Sequence, residues 1–183
     1  VDENEVVTFA CKNLAFNERF ESFRNELLSN PDFKDISRTS RIPTGRLLDA
    51  MDAATLSGDS LVPSTTDIKF VSVDYGFIPS YEIKISAGRN FSRDFGTDTA
   101  GFIINESAVK ALGWKSPETA VGKDFKYGNT RGHIIGVIND FHFESMHQTI
   151  VPLVLIMLPP SNMYFNNLSV KIAGTNVKKT LSS

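Results

Sequence analysis

Cysteine is nearly absent from this sequence, since the 183 residues include only Cys11. A single cysteine excludes a disulfide within the chain. This mildly favours a reducing compartment, although many extracytoplasmic bacterial domains also lack disulfides. Cys11 lies in the apolar run VVTFACKNL, where a small buried residue is the usual interpretation. We therefore interpret Cys11 as part of the core rather than as a catalytic thiol.

Long hydrophobic runs are also missing. The longest run, LVLIML at 153–158, is much shorter than the roughly 20 apolar residues that a membrane-spanning helix requires. No charged-then-apolar segment typical of a signal peptide opens the chain. The hydrophobic fraction of 41 % is typical of a globular domain rather than a disordered one.

The sequence has no excess of charge of one sign. The formal net charge is −2, which lacks the basic surplus typical of nucleic-acid binding. Arg38, Arg41 and Arg46 come closest to a basic cluster, and we interpret them as a solvated edge. We therefore expect no nucleic-acid partner.

Motifs for catalysis and cofactor binding are missing as well. The chain contains no G-x-S-x-G sequence around a nucleophilic serine. Gly122 and Lys123 resemble part of a phosphate-binding loop, but Pro117 occupies the position of its first glycine. Asp124 also replaces the serine or threonine that should follow the lysine. These absences predict no catalytic residue and no cofactor.

The N-terminal part of the chain has the pattern of a strand, a helix and a second strand. Residues 5–11 are apolar and β-branched, and a strand is predicted again within 35–43. Between them, one apolar stripe at helical spacing predicts a helix that ends before Pro31, because a residue preceding proline avoids the α conformation. The order predicts a βαβ-like unit. The stripe consists of Phe16, Phe20, Phe23 and Leu27.

The remainder of the chain alternates strands with short helices, which predicts an α+β fold. Residues 45–67 have mixed periodicity, and we interpret them as a connecting segment with room for a short helix. The later predicted elements are a strand at 68–75, a turn at Gly88, a strand at 102–104, a helix from the N-cap Asn105 to Gly113, a hairpin turning at Gly128-Asn129 and a strand at 168–172.

The segment HIIGVINDFHFESMHQTIVP holds all three histidines of the chain, His133, His142 and His147. If the strand in it continues to residue 144, then Asp140, His142 and Glu144 share one face, and these side chains are typical zinc ligands. Neighbouring residues of one strand make a poor tetrahedral site, however, unless another element adds a ligand. The alternative is a strand that leaves the core and becomes polar. A metal-dependent enzyme using Asp140, His142 and Glu144 is kept as an alternative hypothesis.

A candidate contact surface lies in PPSNMYFNN, where Met163, Tyr164 and Phe165 stand among loop-forming residues. Exposed aromatic and methionine side chains in a loop are typical of protein contacts. The alternative is that the three side chains fold back and cover the core. The sequence leaves both interpretations open.

The order of several motifs resembles the extracytoplasmic core domain of MacB-type ABC transporter permeases, the FtsX-like permease superfamily. Each motif is weak alone, but the series follows the family's order and covers nearly the whole chain. The motifs are FESFRNELLSNPDFKDIS, VSVDYGFIPSYEIKISAGRNFSRDFGTD, FIINESAVKALGW, AVGKDF and HIIGVINDFHFESMHQTIVPLV.

The resemblance implies two subdomains. Residues 1–48 and 152–183 are expected to form a membrane-proximal, porter-like βαβ subdomain. Residues 49–65 are expected to connect it to an inserted, sabre-like mixed α/β subdomain at 66–151. In such a domain the histidine-containing segment is structural rather than catalytic. The final TNVKKTLSS is typical of a helix start, so we expect the chain to be part of a longer protein.

The resemblance also implies a function without catalysis. Such a domain lies on the periplasmic or extracytoplasmic face of the inner membrane, anchored by transmembrane helices that are absent from this chain. Through the full permease it works with a cytoplasmic ATPase domain or subunit and with a second permease copy. Further expected partners are a periplasmic adaptor and a peptide or lipoprotein substrate. A soluble ligand-sensing module is kept as another alternative, which a ligand-sized apolar pocket would favour.

Overall fold

The computed structural model describes residues 5–11, 14–41, 49–142, 149–157 and 165–173. Within these ranges the chain forms eleven β-strands and five α-helices. The helices are α1 (Leu14–Glu18), α2 (Phe20–Leu28), α3 (Phe77–Ser80), α4 (Glu106–Ala111) and α5 (Pro117–Ala120). The strands are β1 (Glu5–Ala10), β2 (Phe33–Thr39), β3 (Ala53–Ser57), β4 (Ser60–Pro63), β5 (Lys69–Ser72), β6 (Ile85–Gly88), β7 (Gly101–Asn105), β8 (Asp124–Tyr127), β9 (Thr130–Ile138), β10 (Leu153–Ile156) and β11 (Asn167–Ile172).

A three-stranded sheet has the order β1-β11-β2, and both of its pairings are antiparallel. Strands β1 and β2 are therefore parallel to each other with β11 between them, which is a split βαβ arrangement. Helices α1 and α2 supply its apolar cover, because the ring of Phe20 is buried against Ile36, Val170 and Ile172. The predicted βαβ-like unit is confirmed. We call this sheet with its two helices the small unit.

The predicted single helix is divided in two. A turn at Arg19 separates α1 from α2. The predicted apolar stripe nevertheless faces the core, since Phe16 packs edge-on against both Phe20 and Phe23, with ring centroids 6.1 and 5.1 Å apart. The stripe therefore packs on the core although the helix is divided.

An eight-stranded mixed sheet forms the rest of the described chain. Its strands follow the path β4-β3-β8-β9-β7-β10-β5, with β6 paired to β9 beside this path. Strand β7 is buried along its whole length, because the sheet is covered on both faces. Helices α4 and α5 cover one face, and α3 with the segment around Phe91 covers the other. We call this sheet with α3, α4 and α5 the large unit.

Several local predictions are confirmed by the large unit. The side chain of Asn105 accepts a hydrogen bond from the backbone N–H of Ala108 at the start of α4. Gly113 follows the end of α4 in the left-handed conformation, with φ of 72°. Gly88 also has a positive φ, and the β8–β9 hairpin turns at Gly128-Asn129. The mixture of sheets with short helices confirms the α+β fold class.

The connecting segment contains no helix in the part that the structure describes, so the short helix considered there is wrong. Residues 53–63 form the β3–β4 hairpin instead, with Gly58 in the left-handed conformation at its turn. Strand β4 lies at the edge of the large sheet and is exposed throughout. An exposed edge strand lacks the alternation of apolar and polar residues that marks a half-buried strand, which explains why the sequence pattern did not reveal it.

Strand β10, which follows Pro152, lies in a different unit from the one that the sequence predicts. The sequence predicts residues 152–183 in the porter-like subdomain with residues 1–48, but β10 pairs with β5 and β7 inside the large sheet. All four of its residues are buried, in keeping with a central strand covered on both faces. The return to the small unit comes with β11. The other predicted subdomain boundaries stay predictions.

None of the helices in the described part of the chain has the length and apolar character required to cross a membrane.

Asn105 ties three elements together and provides a test of the large unit. Its Oδ1 accepts from the backbone N–H groups of Ala108 and Leu153, at 3.0 and 2.9 Å, and its Nδ2 donates to the carbonyl oxygen of Val151 at 2.9 Å. We expect Asn105→Ala to lower the free energy of unfolding by about 2 to 4 kcal/mol, because it removes a helix cap and leaves buried backbone groups unpaired. Urea denaturation measures this loss.

The matched control is Ser116→Ala, which removes the N-cap of α5 at a solvent-exposed site. That change is expected to cost about 1 kcal/mol, the usual value of a cap. Equal losses for the two variants would contradict the role of Asn105 as a buried connector.

Candidate functional site

The two units meet where the end of β2 lies beside the residues that follow β5. Thr39 forms an antiparallel bridge with Val73. The backbone N–H of Ser40 donates to the carbonyl oxygen of Ser72 at 2.9 Å, and that of Asp74 donates to the carbonyl oxygen of Arg38 at 3.2 Å. We call this contact, between residues 38–40 and 72–76, the joint. Main-chain hydrogen bonds therefore connect the two sheets directly.

A buried ion pair between Arg38 and Asp74 occupies the joint. The Oδ2 atom of Asp74 accepts from the backbone N–H of Arg38 at 2.8 Å and from its Nε at 3.3 Å. The Oδ1 atom accepts from the backbone N–H of Gly76 at 3.1 Å. The two side chains are 6 % and 4 % exposed. Both charges are thus removed from water and satisfied by each other and by the backbone.

The guanidinium group of Arg38 also reaches the rest of the small unit. It lies 3.6 Å from the ring centroid of Phe20 and 4.8 Å from that of Phe165. Its Nη1 donates to the backbone oxygen and to the side-chain oxygen of Asn17, at 3.2 and 3.1 Å. One side chain therefore links α1, α2, Phe165 ahead of β11 and the large unit.

Gly76 allows the two units to approach this closely. A Cβ atom added at Gly76 would lie 2.5 Å from the carbonyl oxygen of Ile36, which is too short for a non-bonded contact. Any other residue at this position would therefore push α3 away from β2.

The ionisable groups of the joint have shifted pKa values. Burial raises the pKa of Asp74 from its ordinary value of 3.8 to about 6, although the charge of Arg38 and three hydrogen bonds act in the opposite direction. Burial also lowers the pKa of Arg38, and here the charge of Asp74 opposes the shift. The removal of both groups from water is thus the dominant electrostatic effect at the joint.

The proposed metal ligands are arranged differently from the prediction. Strand β9 ends at Ile138, so the premise that a strand continues to residue 144 is wrong. Asp140 instead accepts hydrogen bonds from the backbone N–H and the hydroxyl of Ser107, at 2.9 and 2.7 Å, in the first turn of α4. His142 is exposed, and Glu144 lies outside the described residues. In the described ranges, no three histidine, cysteine, aspartate or glutamate side chains could together hold a metal ion.

The proposed partner contact is described only at its last residue. Phe165 is 1 % exposed and packs on Arg38, so in this conformation it belongs to the core. The covered interpretation thus fits Phe165. Met163 and Tyr164 lie outside the described residues, and their contact with a partner stays a prediction.

Sequence reasoning missed the joint. The interpretation of Arg38 as part of a solvated edge with Arg41 and Arg46 is wrong, because Arg38 is buried. Arg41 does lie near the surface, where it pairs with Asp49, and Arg46 is outside the described residues. The only sequence signal was an aspartate at the end of the strand pattern, which also fits a solvated strand end.

Two surface grooves bear on the ligand-sensing alternative. One, of about 540 Å³, lies along α1 and α2 beside Phe16 and Phe23. The other, of about 460 Å³, lies between residues 81–84 and 139–142. Both are open to solvent, whereas a typical ligand site surrounds most of its ligand. Neither groove favours the ligand-sensing alternative.

Solved structures of domains from MacB, from an ABC-type transporter and from a permease are similar to this chain in fold. The chain superposes on the periplasmic region of MacB from Actinobacillus actinomycetemcomitans with a TM-score of 0.58 and 14 % identity, covering 97 % of this chain and 78 % of that one. The extracellular domain of the noncanonic ABC-type transporter YknZ from Gram-positive bacteria gives 0.60 and 16 %, covering 96 % and 88 %.

A domain of a putative permease protein from Porphyromonas gingivalis has the same fold, with a TM-score of 0.53, 16 % identity and coverage of 94 % and 75 %. No protein-family model and no curated protein matches the sequence. The similarity therefore lies in the three-dimensional fold, which confirms the fold expected from the resemblance.

The raised pKa of Asp74 predicts a pH dependence of stability. Between 3.8 and about 6 the folded state holds the Asp74 proton more tightly than the unfolded state does. The contribution of Asp74 to the free energy of unfolding should therefore be largest below pH 3.8 and fall as the pH rises to about 6. Urea denaturation at a series of pH values should show this fall in the native chain and not in Asp74→Asn.

Asp35 provides the comparison, because burial raises its pKa too, outside the joint. In Asp35→Asn the free energy of unfolding should still fall as the pH rises towards 6. If Asp74→Asn showed the same slope as the native chain in that region, the assignment of the fall to Asp74 would be wrong.

Proposed function

We propose that this chain is a non-catalytic extracytoplasmic domain of an ABC transporter permease. The observation that carries the proposal is the fold, which matches three domains of transporters and permeases over 94–97 % of the chain. The order of sequence motifs, found independently of the structure, supports the same class. In this role the domain lies on the outer face of the membrane and is held there by helices outside this chain.

The domain works through movement rather than through chemistry. A cytoplasmic ATPase, as a domain or a subunit of the transporter, hydrolyses ATP, and the permease transmits the resulting conformational change to the extracytoplasmic side. There the change drives export of a substrate or activates a partner. The joint supports this role, because main-chain hydrogen bonds and a buried ion pair connect the two units through which such a change must pass.

Two further partners belong to the proposal. A second permease copy completes a dimer, and a periplasmic adaptor, a peptide or a lipoprotein contacts the domain. We assign part of the latter contact to Met163 and Tyr164. Their neighbour Phe165 is anchored on Arg38, so a contact at these residues would act next to the joint.

The location of the native polypeptide tests the proposed class. We expect antibodies against this domain to detect a longer, membrane-bound polypeptide, because the domain needs flanking helices to stay at the membrane. Protease added outside intact spheroplasts should cleave the domain, since it faces that side. Immunoblotting of fractions and of protease-treated cells measures both properties.

A cytoplasmic protein in the same cells serves as the control and should stay uncut. A native polypeptide close to 183 residues in the cytoplasmic fraction would overturn the proposed class.

The partner contact is tested by site-specific photo-crosslinking in the native membrane. A photo-reactive side chain at Met163 or Tyr164 should give an adduct of higher mass, because both positions are proposed to touch a partner. Thr130, exposed at the β8–β9 turn of the large unit, is the matched control position and should give none. The contact is contradicted if Met163 and Tyr164 both give no adduct while the protein remains folded in the membrane.

A further inference from the structure

Three ion pairs connect side chains on the helices and strands of the small unit to the large unit in the part of the chain that the structure describes. They start from three different elements of the small unit. Arg38 on β2 pairs with Asp74, Glu21 on α2 with Arg93, and Lys171 on β11 with Glu82.

The two outer pairs lie on opposite faces of the small sheet. Glu21 belongs to α2, which covers the face that carries Val170 and Ile172. Lys171 lies between these two residues on β11, so its side chain points to the other face, where α3 is packed. The contacts of the joint lie close together, and further contacts on both faces of the small sheet oppose a rotation of one unit against the other.

Glu82 has a backbone conformation that is unusual for a residue with a Cβ atom. It follows the end of α3 with φ of 54°, the left-handed conformation in which glycine is normally found. Its backbone N–H donates to Pro79 at 3.1 Å, and that of Ile83 donates to Ile78 at 3.0 Å. These two bonds define a Schellman motif, and a residue with a Cβ atom is strained at its left-handed position.

The same motif occurs at the end of α4 with the expected residue. The backbone N–H of Gly113 donates to Lys110 at 3.0 Å, and that of Trp114 donates to Val109 at 3.1 Å. Gly113 has φ of 72°. The chain therefore uses glycine where the helix end stands alone, and glutamate where the side chain reaches Lys171 in the other unit.

The Glu82–Lys171 pair is not explained by stability alone. The side chains of Glu82 and Lys171 are 70 % and 12 % exposed, and an ion pair with one partner largely in water contributes little to the free energy of unfolding. What the pair does is hold the end of α3 against β11. The hydroxyl groups of Tyr81 and Ser169 make a second link at the same place, with their oxygen atoms 2.7 Å apart.

We propose that the joint is locked, so that the two units move as one rigid body. Arg38 and Asp74 form its centre, and the Glu21–Arg93 and Lys171–Glu82 pairs prevent rotation about it from opposite faces. In the transporter role proposed above, on which this purpose rests, a locked joint carries a movement of the membrane-proximal unit to the distal unit without loss. The rigidity itself does not depend on that role.

The test replaces Glu82 with glycine. Glu82→Gly removes the pair and also the backbone strain, so the melting temperature should stay unchanged or rise while the two units become looser. These opposite changes separate a positioning role from a stabilising one. Pulsed EPR between spin labels at Asn25 on α2 and Thr130 on β9, in a chain with Cys11→Ser, measures the distribution of distances between the units.

We expect one narrow distance distribution in the native chain and a broader one in Glu82→Gly. Adding Glu21→Gln, which removes the second outer pair, should broaden the distribution further. Asp67→Asn is the matched control, because Asp67 pairs with Lys69 inside the large unit, and its removal should leave the width unchanged.

A broad distribution in the native chain would overturn the proposal, and so would an unchanged width in the Glu82→Gly/Glu21→Gln chain. Hydrogen exchange provides a second readout that needs no labels. The amide protons of Arg38 and Gly76, both bonded to Asp74, should exchange faster in the double variant. Equal exchange rates would count against the lock.

Neither the EPR nor the hydrogen-exchange measurement involves transport, so a result against the locked joint would leave the proposed membrane role intact. Conversely, a cytoplasmic native polypeptide would contradict the membrane role but would not contradict the locked joint.

Discussion

The buried pair of Arg38 and Asp74 is the interaction on which the arrangement of the two units depends. Two charges removed from water are tolerated only if each is satisfied by a partner and by hydrogen bonds. Here the backbone of Gly76, the side chain of Asn17 and the ring of Phe20 complete that environment. A buried pair adds little net stability, but it excludes other arrangements, because separating the charges leaves both unsatisfied.

The contacts within the units differ in character from those between them. Inside the large unit the sheet is covered by apolar side chains on both faces, and the core of the small unit is a cluster of phenylalanine and branched aliphatic residues. Between the units lie ion pairs, main-chain hydrogen bonds and hydroxyl groups. Apolar contacts are non-directional, whereas charged and hydrogen-bonded contacts fix an orientation. The joint is therefore suited to transmitting movement.

Elements with a local cause were predictable. The cap at Asn105, the helix end at Gly113 and the turn at Gly128 follow from the conformations that these residues favour within a few positions of the chain. The β3–β4 hairpin and the pairing of β10 were not predictable in this way. An exposed edge has no apolar alternation, and a short apolar strand is equally compatible with either sheet until its neighbours are known.

The sequence by itself determined the α+β class, the order of most elements, the absence of an internal disulfide and the lack of any catalytic motif. These properties depend on composition and on residues close together in the chain. Only the tertiary structure decided that Arg38 is buried, that Asp140 bonds to the start of α4 and that Glu82 holds a position normally given to glycine. Each of these outcomes depends on partners 33 to 89 residues away in the chain, Asp74, Ser107 and Lys171. The burial of a charge is set by such distant partners, and no local pattern records them.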